Sequence, residues 1–209
     1  SSVFSQHAFA VYPLATNATG AKCIEVAAKH FGHDLDAMLA AIEPDTRIVF
    51  IANPNNPTGT YLPAARVEAF LERVPANVVV VLDEAYNEYL DEADRFDSSR
   101  WLARHPNLLV SRTFSKAYGL ASLRVGFGLA QAELTDLLNR VRQPFNVSSP
   151  ALAAARAALA DHEFVARSRA VNRSELNRLE RAFREMGLEF LPSFGNFSLV
   201  RVGDAAAVY

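Results

Sequence analysis

The feature that most constrains the fold of this 209-residue sequence is a run of five consecutive apolar residues, 78–82, which ends at an acidic pair. A strand with apolar side chains on both faces is typical of a parallel sheet that is covered by helices. A similar run at 47–52 comes earlier, and a segment at 63–74 with helical spacing of apolar residues lies between the two. Strands that alternate with helices predict an α/β fold.

The rest of the sequence continues this alternation. Two more strands and two more helices are predicted, at 107–112, 125–130, 131–142 and 150–160. A long amphipathic helix at 163–186 follows, and β structure is predicted from residue 188 onward. Gly187 is predicted to end the long helix, because glycine commonly occupies the position just after a helix. On the exposed face of this helix, Glu163–Arg167 and Glu180–Arg184 have the four-residue spacing that favours ion pairs.

Composition excludes several classes of function. The net charge of −2 lacks the basic excess of a nucleic-acid binder, and no apolar run approaches the roughly 18 residues of a membrane span. The single cysteine, Cys23, excludes an internal disulfide and favours a reducing compartment. Residues 1–4 lack a basic region followed by a long apolar core, so no signal peptide is predicted and a cytoplasmic location is expected. Because the first residue is not Met and the last seven read as an interrupted helix, we expect a piece of a longer protein.

Lysine is scarce in this sequence, with three lysines against eighteen arginines. One of them, Lys116, lies just after the strand predicted at 107–112, in a segment that also contains the hydroxyl side chains of Thr113 and Ser115. Arginine cannot replace lysine as an amine nucleophile. An ordinary surface lysine is the alternative, but the apolar surroundings favour a chemical role for Lys116.

Polar residues also follow the other predicted strands. Asp83 comes directly after the apolar strand at 78–82, where a carboxylate needs a cationic or hydrogen-bonding partner; a loop aspartate or a helix cap is the alternative. Arg124 leads into the strand at 125–130 and would suit a phosphate or carboxylate, although a structural ion pair explains it too. Asn56 lies in the loop at 53–59 and could direct its amide into a site or simply form a turn.

Ligands of open parallel sheets bind at the carboxyl ends of the strands. We therefore expect Asn56, Asp83, Lys116 and Arg124 to meet in one site. An apolar strand that ends in acidic residues is also found in P-loop nucleotide hydrolases, where the acid holds Mg²⁺. That hypothesis needs a glycine-rich phosphate loop with a Gly-Lys-Ser/Thr ending, which this sequence does not contain.

Four segments in order give a specific resemblance: Asn-Asn-Pro-Thr-Gly at 55–59, Asp-Glu-Ala-Tyr at 83–86, Ser-Lys-Ala-Tyr-Gly-Leu at 115–120 and Leu-Arg-Val-Gly at 123–126. The sequence resembles the fold-type I, aspartate-aminotransferase-like enzymes that depend on pyridoxal 5′-phosphate (PLP). The resemblance covers nearly the whole chain. It implies an α/β large domain with a mostly parallel sheet flanked by helices at 1–162, truncated at its N-terminus. Residues 163–209 would form the connector helix and the start of a smaller α+β domain.

The resemblance also implies a role for each residue. Lys116 would carry PLP and move the substrate proton, and Asp83 would pair with the ring nitrogen. The remaining roles fall to residues that would hold the ring hydroxyl (Tyr86 and Asn56), the phosphate (Thr113, Ser115 and Arg124) and the face of the ring (Phe9). Lys116, Asp83 and Tyr86 are the expected catalytic residues, and no metal is expected.

The reaction that the resemblance implies is transfer of an amino group between an imidazole-bearing amino phosphate and 2-oxoglutarate, in histidine biosynthesis. The expected partners are these small molecules and a second subunit of a homodimer, with no nucleic acid or membrane. A related PLP-dependent decarboxylase of threonine phosphate and a non-catalytic PLP-binding regulatory module share much of the pattern and stay open as alternatives.

Overall fold

The computed structural model describes residues 1–208. Its strands are β1 Ser2–Ser5, β2 Cys23–Val26, β3 Ile48–Ala52, β4 Val79–Asp83, β5 Leu108–Thr113, β6 Gly126–Leu129, β7 Glu189–Leu191 and β8 Leu199–Arg201. Its helices are α1 Val11–Ala18, α2 Leu35–Ala40, α3 Ala64–Leu71, α4 Ala132–Val141, α5 Ser149–Ala160, α6 His162–Glu185 and α7 Ala205–Val208. Short 3₁₀ turns lie at Asn87–Tyr89, Ser98–Trp101 and Ala121–Leu123.

Strands β1 to β6 form one sheet in the order β2-β1-β3-β4-β5-β6. The pairs among the first five strands are parallel, and β6 runs antiparallel to β5. Strands β7 and β8 form a separate antiparallel pair. The predicted α/β class with a mostly parallel sheet is therefore confirmed. The first four elements of the chain, β1 to α2, were not predicted, because none of them combines a long apolar run with clear turn signals.

The main core lies on one face of the sheet. Val80 and Leu82 of β4 are buried there, and α2 and α3 cover them with apolar side chains such as Met38 and Phe70. The opposite face of β4 differs from the prediction, since Val79 and Val81 are only partly buried. Alternation along the strand is the reason, because successive side chains point to opposite faces and the two faces have different cover.

Helix α6 is the long helix that the sequence predicts. The side chain of Asp161 caps its start by accepting a hydrogen bond from the backbone of Phe164 at 2.9 Å. Gly187 adopts a left-handed φ of 68° just after the end of the helix. The predicted pair Glu180–Arg184 forms at 3.1 Å, whereas Glu163 and Arg167 form no ion pair within residues 1–208. The division of the chain at residue 162 stays a prediction.

None of the helices in the described part of the chain is both long enough and apolar enough to cross a membrane.

At Gly126, β6 lies close to the backbone of β5. A Cβ atom at this position would lie 2.6 Å from the carbonyl oxygen of Arg112, which is backbone and cannot rotate away. We expect Gly126→Ala to destabilise the protein by about 1–3 kcal/mol, the range for overpacking, and to lower its melting temperature. Gly128→Ala is the matched control, because the nearest atom to its Cβ would be the movable tip of Leu109 at 3.1 Å, and the nearest backbone atom would lie at an ordinary 3.8 Å. Equal melting temperatures for the two variants, followed by circular dichroism, would contradict this prediction.

Candidate active site

A cavity of about 290 Å³ opens at the carboxyl edge of β3, β4 and β5. Its volume is close to the lower limit of roughly 300 Å³ for small-molecule sites. All eight residues singled out from the sequence line it: Phe9, Asn56, Asp83, Tyr86, Thr113, Ser115, Lys116 and Arg124. Arg124 can reach this edge because β6 is antiparallel, so the start of β6 lies beside the end of β5.

Asp83 is the last residue of β4 rather than the first residue after it. One carboxylate oxygen, Oδ2, accepts a hydrogen bond of 2.7 Å from the Tyr12 hydroxyl, and Oδ1 accepts one of 3.2 Å from the backbone N–H of Ala85. Because two donors hold it from different sides, the carboxylate has a fixed orientation at the wall of the cavity.

Lys116 lies in a tight loop after β5. The Thr113 hydroxyl accepts a hydrogen bond from the backbone N–H of Ser115 at 3.0 Å, and Gly119 closes the loop by donating its N–H to the Lys116 carbonyl at 2.9 Å. Phe114 anchors this loop, since its buried ring packs on Tyr118 with 5.0 Å between ring centroids. The loop thereby directs the Lys116 amine into the cavity, where Nζ lies 5.4 Å from the centroid of the Tyr86 ring.

Tyr86 and Asn56 form a hydrogen-bonded pair at the same wall. The Asn56 side-chain amide donates to the Tyr86 hydroxyl at 3.0 Å. Tyr86 is buried, and the Phe197 ring packs edge-on against it with 5.1 Å between centroids. Phe197 follows α6, so the segment between β7 and β8 supports a wall of the cavity.

The third side of the cavity carries hydroxyl groups and a cation. Arg124 donates through Nη1 to the Ala121 carbonyl at 2.7 Å and to the Ser115 hydroxyl at 3.4 Å. Its backbone is left-handed, with φ 52° and ψ 48°, a conformation that costs energy for any residue with a side chain. Within residues 1–208 no carboxylate lies at ion-pair distance from Arg124. The Arg124 guanidinium and the hydroxyls of Thr113 and Ser115 can therefore receive an anionic group.

Two features of the site were not found from the sequence. The first is Tyr12, the hydrogen-bond donor to Asp83; its place three residues after Phe9, in the first turn of α1, is a signal that could have identified it. Phe9 itself is 41% exposed and packs edge-on against Tyr12 at 5.9 Å. Its exposed ring is available to a flat ligand.

The second is a buried charge cluster behind the site. Arg112 donates through Nε to Glu84 at 2.9 Å, and its Nη1 lies 3.8 Å from Glu88. Burial raises the pKa of both Glu84 and Glu88, and the Arg112 guanidinium partly opposes this rise. Glu84 and Arg112 lie one residue beyond the cross-strand partners Asp83 and Ser111, so the pair joins the ends of β4 and β5.

Comparison with known proteins agrees with this geometry. The sequence profile of aminotransferase class I and II matches residues 3–208. Histidinol-phosphate aminotransferase 2 of Ralstonia nicotianae is 63% identical over 204 residues, and histidinol-phosphate aminotransferase 1 of Cupriavidus pinatubonensis is 65% identical over 202. These alignments cover 98% and 97% of this chain and 54% of each relative. The chain thus spans about half the length of the curated relatives it matches.

A similar solved structure is histidinol-phosphate aminotransferase from Sinorhizobium meliloti in complex with pyridoxal-5′-phosphate. Its TM-score is 0.92 at 34% sequence identity, and the match covers 98% of this chain and 56% of that chain.

The six-stranded sheet and the cavity at its carboxyl edge define a large domain of the PLP-dependent transferase type. The chain belongs to the aminotransferase class I and II family. The resemblance drawn from the four sequence segments is therefore confirmed. The match gives no support to the nucleotide-hydrolase hypothesis.

The charge cluster gives a pH-dependent prediction. A carboxyl whose pKa is raised in the folded state binds its proton more tightly there than in the unfolded chain. Stability is therefore lost as the pH rises above the ordinary glutamate pKa of about 4.3. Arg112→Met removes the cation that lowers the pKa of Glu84 and Glu88, so both carboxyls become more costly to ionise in the folded state. We expect it to cost about 3 kcal/mol, the low end for breaking a buried pair, because 20% of the Arg112 side chain is exposed.

The measurement is the melting temperature of wild type and Arg112→Met at pH 5, near the start of the expected window above roughly pH 4.3, and at pH 8, well inside it. The deficit of the variant should be larger at the higher pH. Adding Glu84→Gln to Arg112→Met should recover part of the loss, because the uncompensated carboxylate is then gone. An equal deficit at both pH values would show that the charge of Arg112 has no part in it.

Proposed function

We propose that the protein is a PLP-dependent aminotransferase that transfers an amino group between histidinol phosphate and 2-oxoglutarate, in histidine biosynthesis and in the cytoplasm. One observation carries the proposal: the eight residues that the family resemblance names come from distant parts of the chain and line one cavity. The substrate follows from the names of the relatives that are 63% and 65% identical.

The cavity fits PLP in its chemistry. Asp83 has one donor on each oxygen, which leaves acceptor capacity for a protonated ring nitrogen. Arg124, Thr113 and Ser115 offer a cation and two hydroxyls to a phosphate. The Lys116 amine lines the same cavity, beside the Tyr86 ring.

PLP, when bound, supplies an aldehyde that reacts with amines and a protonated ring that withdraws electrons. Asp83 would keep the ring nitrogen protonated, because a carboxylate favours the charged form of a neighbouring cation. Tyr86 and Asn56 would hold the ring hydroxyl, and Phe9 would pack on the ring face. Thr113, Ser115 and Arg124 would hold the phosphate and so set the position of the whole group.

Lys116 would serve as the acid and base of the reaction. Its Nζ would accept the proton from the substrate Cα and later return one, and the loop closed by Gly119 holds that amine in place. The Tyr86 ring beside Nζ limits where the amine can move.

Domain organisation and assembly are part of the same proposal. Residues 1–162 would form the cofactor-binding large domain, and residues 163–209 would form the connector helix and the start of the small domain. The full-length protein would be a homodimer, as the family resemblance implies.

Covalent labelling tests the role of Lys116. Full-length protein is mixed with PLP, reduced with borohydride, digested and analysed by mass spectrometry. We expect the label on Lys116, because it is the lysine whose amine lines the cavity within residues 1–208. Lys116→Arg should abolish the label, while the matched control Lys22→Arg should not, since Lys22 pairs with Glu43 on the surface at 2.8 Å. Labelling that persists in Lys116→Arg would overturn the assignment.

Asp83→Ala tests the electron-withdrawing ring. We expect labelling of Lys116 to persist, while amino transfer from histidinol phosphate to 2-oxoglutarate falls at least about 100-fold, or about 2.7 kcal/mol. Asp36→Ala is the control, because Asp36 is a solvent-exposed carboxylate that pairs with Arg73 away from the cavity. Near-normal turnover of Asp83→Ala would contradict the role. Release of CO2 from threonine phosphate without any 2-oxo acid acceptor would instead support the decarboxylase alternative.

A further inference from the structure

Tyr12 carries a role that the proposed function does not yet include. Its hydroxyl donates a hydrogen bond of 2.7 Å to Asp83, across 71 residues of sequence. This is the usual length for a well-formed O–H···O bond. Tyr12 is buried, with 5% of its surface exposed, so water has little access to the bond.

The phenol ring is held rigidly. It stacks on Phe50 with ring centroids 4.6 Å apart and planes 6° apart, and the Phe9 ring packs on it edge-on at 5.9 Å. Its backbone carbonyl accepts a bond of 2.8 Å from the Thr16 hydroxyl within α1. The hydroxyl therefore has little freedom to turn away from Asp83.

The phenol also stays protonated. Burial, followed by the negative charge of Asp83, raises the pKa of Tyr12 above its usual range. Tyr12 is therefore a neutral donor at every physiological pH, and its hydrogen bond disperses part of the carboxylate charge without cancelling it. Tyr12 and Ala85 are the donors to this carboxylate among residues 1–208, and no cationic side chain there lies at ion-pair distance from Asp83.

We infer that Tyr12 is a positioning residue that aims the Asp83 carboxylate at the cofactor ring and weakens the charge that the ring experiences. Tyr12 would thereby set the proton affinity of the bound cofactor. This inference rests on the proposed function, because it requires PLP in the cavity with its ring nitrogen toward Asp83.

Other charged groups face the same cavity and must stay constant in the test. The titratable and charged residues at its wall are Tyr12, Asp83, Tyr86, Lys116, Arg124 and Arg112, whose guanidinium pairs with Glu84. Tyr12→Phe changes none of the others and keeps the aromatic ring. It removes one oxygen and its hydrogen bond, which makes it a narrow perturbation.

The experiment is a pH titration of the visible absorption band of the bound cofactor, in full-length protein loaded with PLP. Without the Tyr12 donor, the Asp83 charge is dispersed less and favours the protonated cofactor more strongly. We therefore expect the apparent pKa of the band to rise in Tyr12→Phe by about 0.5–1 unit. This shift corresponds to part of the free energy that a hydrogen bond to a charged group contributes. The dissociation constant of PLP should rise about 3- to 10-fold, because the carboxylate is less firmly oriented.

Tyr61→Phe is the matched control. The Tyr61 hydroxyl donates to the Asp94 carbonyl, outside the cavity, so its loss should leave the titration unchanged. Phe50→Leu is a second variant, which keeps the Tyr12 hydroxyl but removes the ring that holds it. It should shift the band in the same direction by a smaller amount.

A lower melting temperature of Tyr12→Phe with an unchanged band titration would mean that Tyr12 only joins α1 to β4, and it would overturn the inference. A downward shift would overturn it as well. Wild-type protein that shows neither a PLP band nor a label on Lys116 would overturn the proposed function itself, whereas a normal wild-type band with no response in either variant would overturn only the role of Tyr12.

Discussion

The parallel register of β3, β4 and β5 is the constraint on which the site depends. Ala52 pairs with Asp83, and Asp83 pairs with Ser111, so the three strands end side by side. Backbone hydrogen bonds continue the alignment past the strand ends, from Asn53 to the Asp83 carbonyl at 2.9 Å and from Glu84 to the Ser111 carbonyl at 2.9 Å. The loops that carry Asn56 and Lys116 therefore begin from one edge, on opposite sides of Asp83.

Alternation along β4 gives two neighbouring acids different surroundings. Asp83 points toward Tyr12 and the cavity, while Glu84 points to the other face and pairs with Arg112 at 2.9 Å. A slip of one residue would exchange these faces, because side chains alternate with a period of two. Apolar packing of Val80 and Leu82 under α3 fixes the register, so the core determines which acid faces the cavity. Packing and chemistry are thus coupled through one strand.

The antiparallel strand β6 places Arg124 at the wall of the cavity. A parallel β6 would begin at the far edge of the sheet and carry Arg124 away from Lys116. The close approach of Gly126 to the Arg112 carbonyl allows the reversed strand to pair tightly with β5. The strained backbone of Arg124 lies at the turn into this strand, which is consistent with strain that is retained at functional positions.

The sequence alone determined the α/β class, the positions of β3 to β6 and eight of the residues that line the cavity. These features leave local signals: unbroken apolar runs, helical periodicity, a rare lysine and short motifs of fixed order. Only the tertiary structure decided the direction of β6, the bond from Tyr12 to Asp83, the cluster of Arg112 with Glu84 and Glu88, and the unequal cover of the two faces of β4. Each of these depends on contacts between residues far apart in the chain, and local periodicity carries no information about which distant side chain will lie opposite a given one.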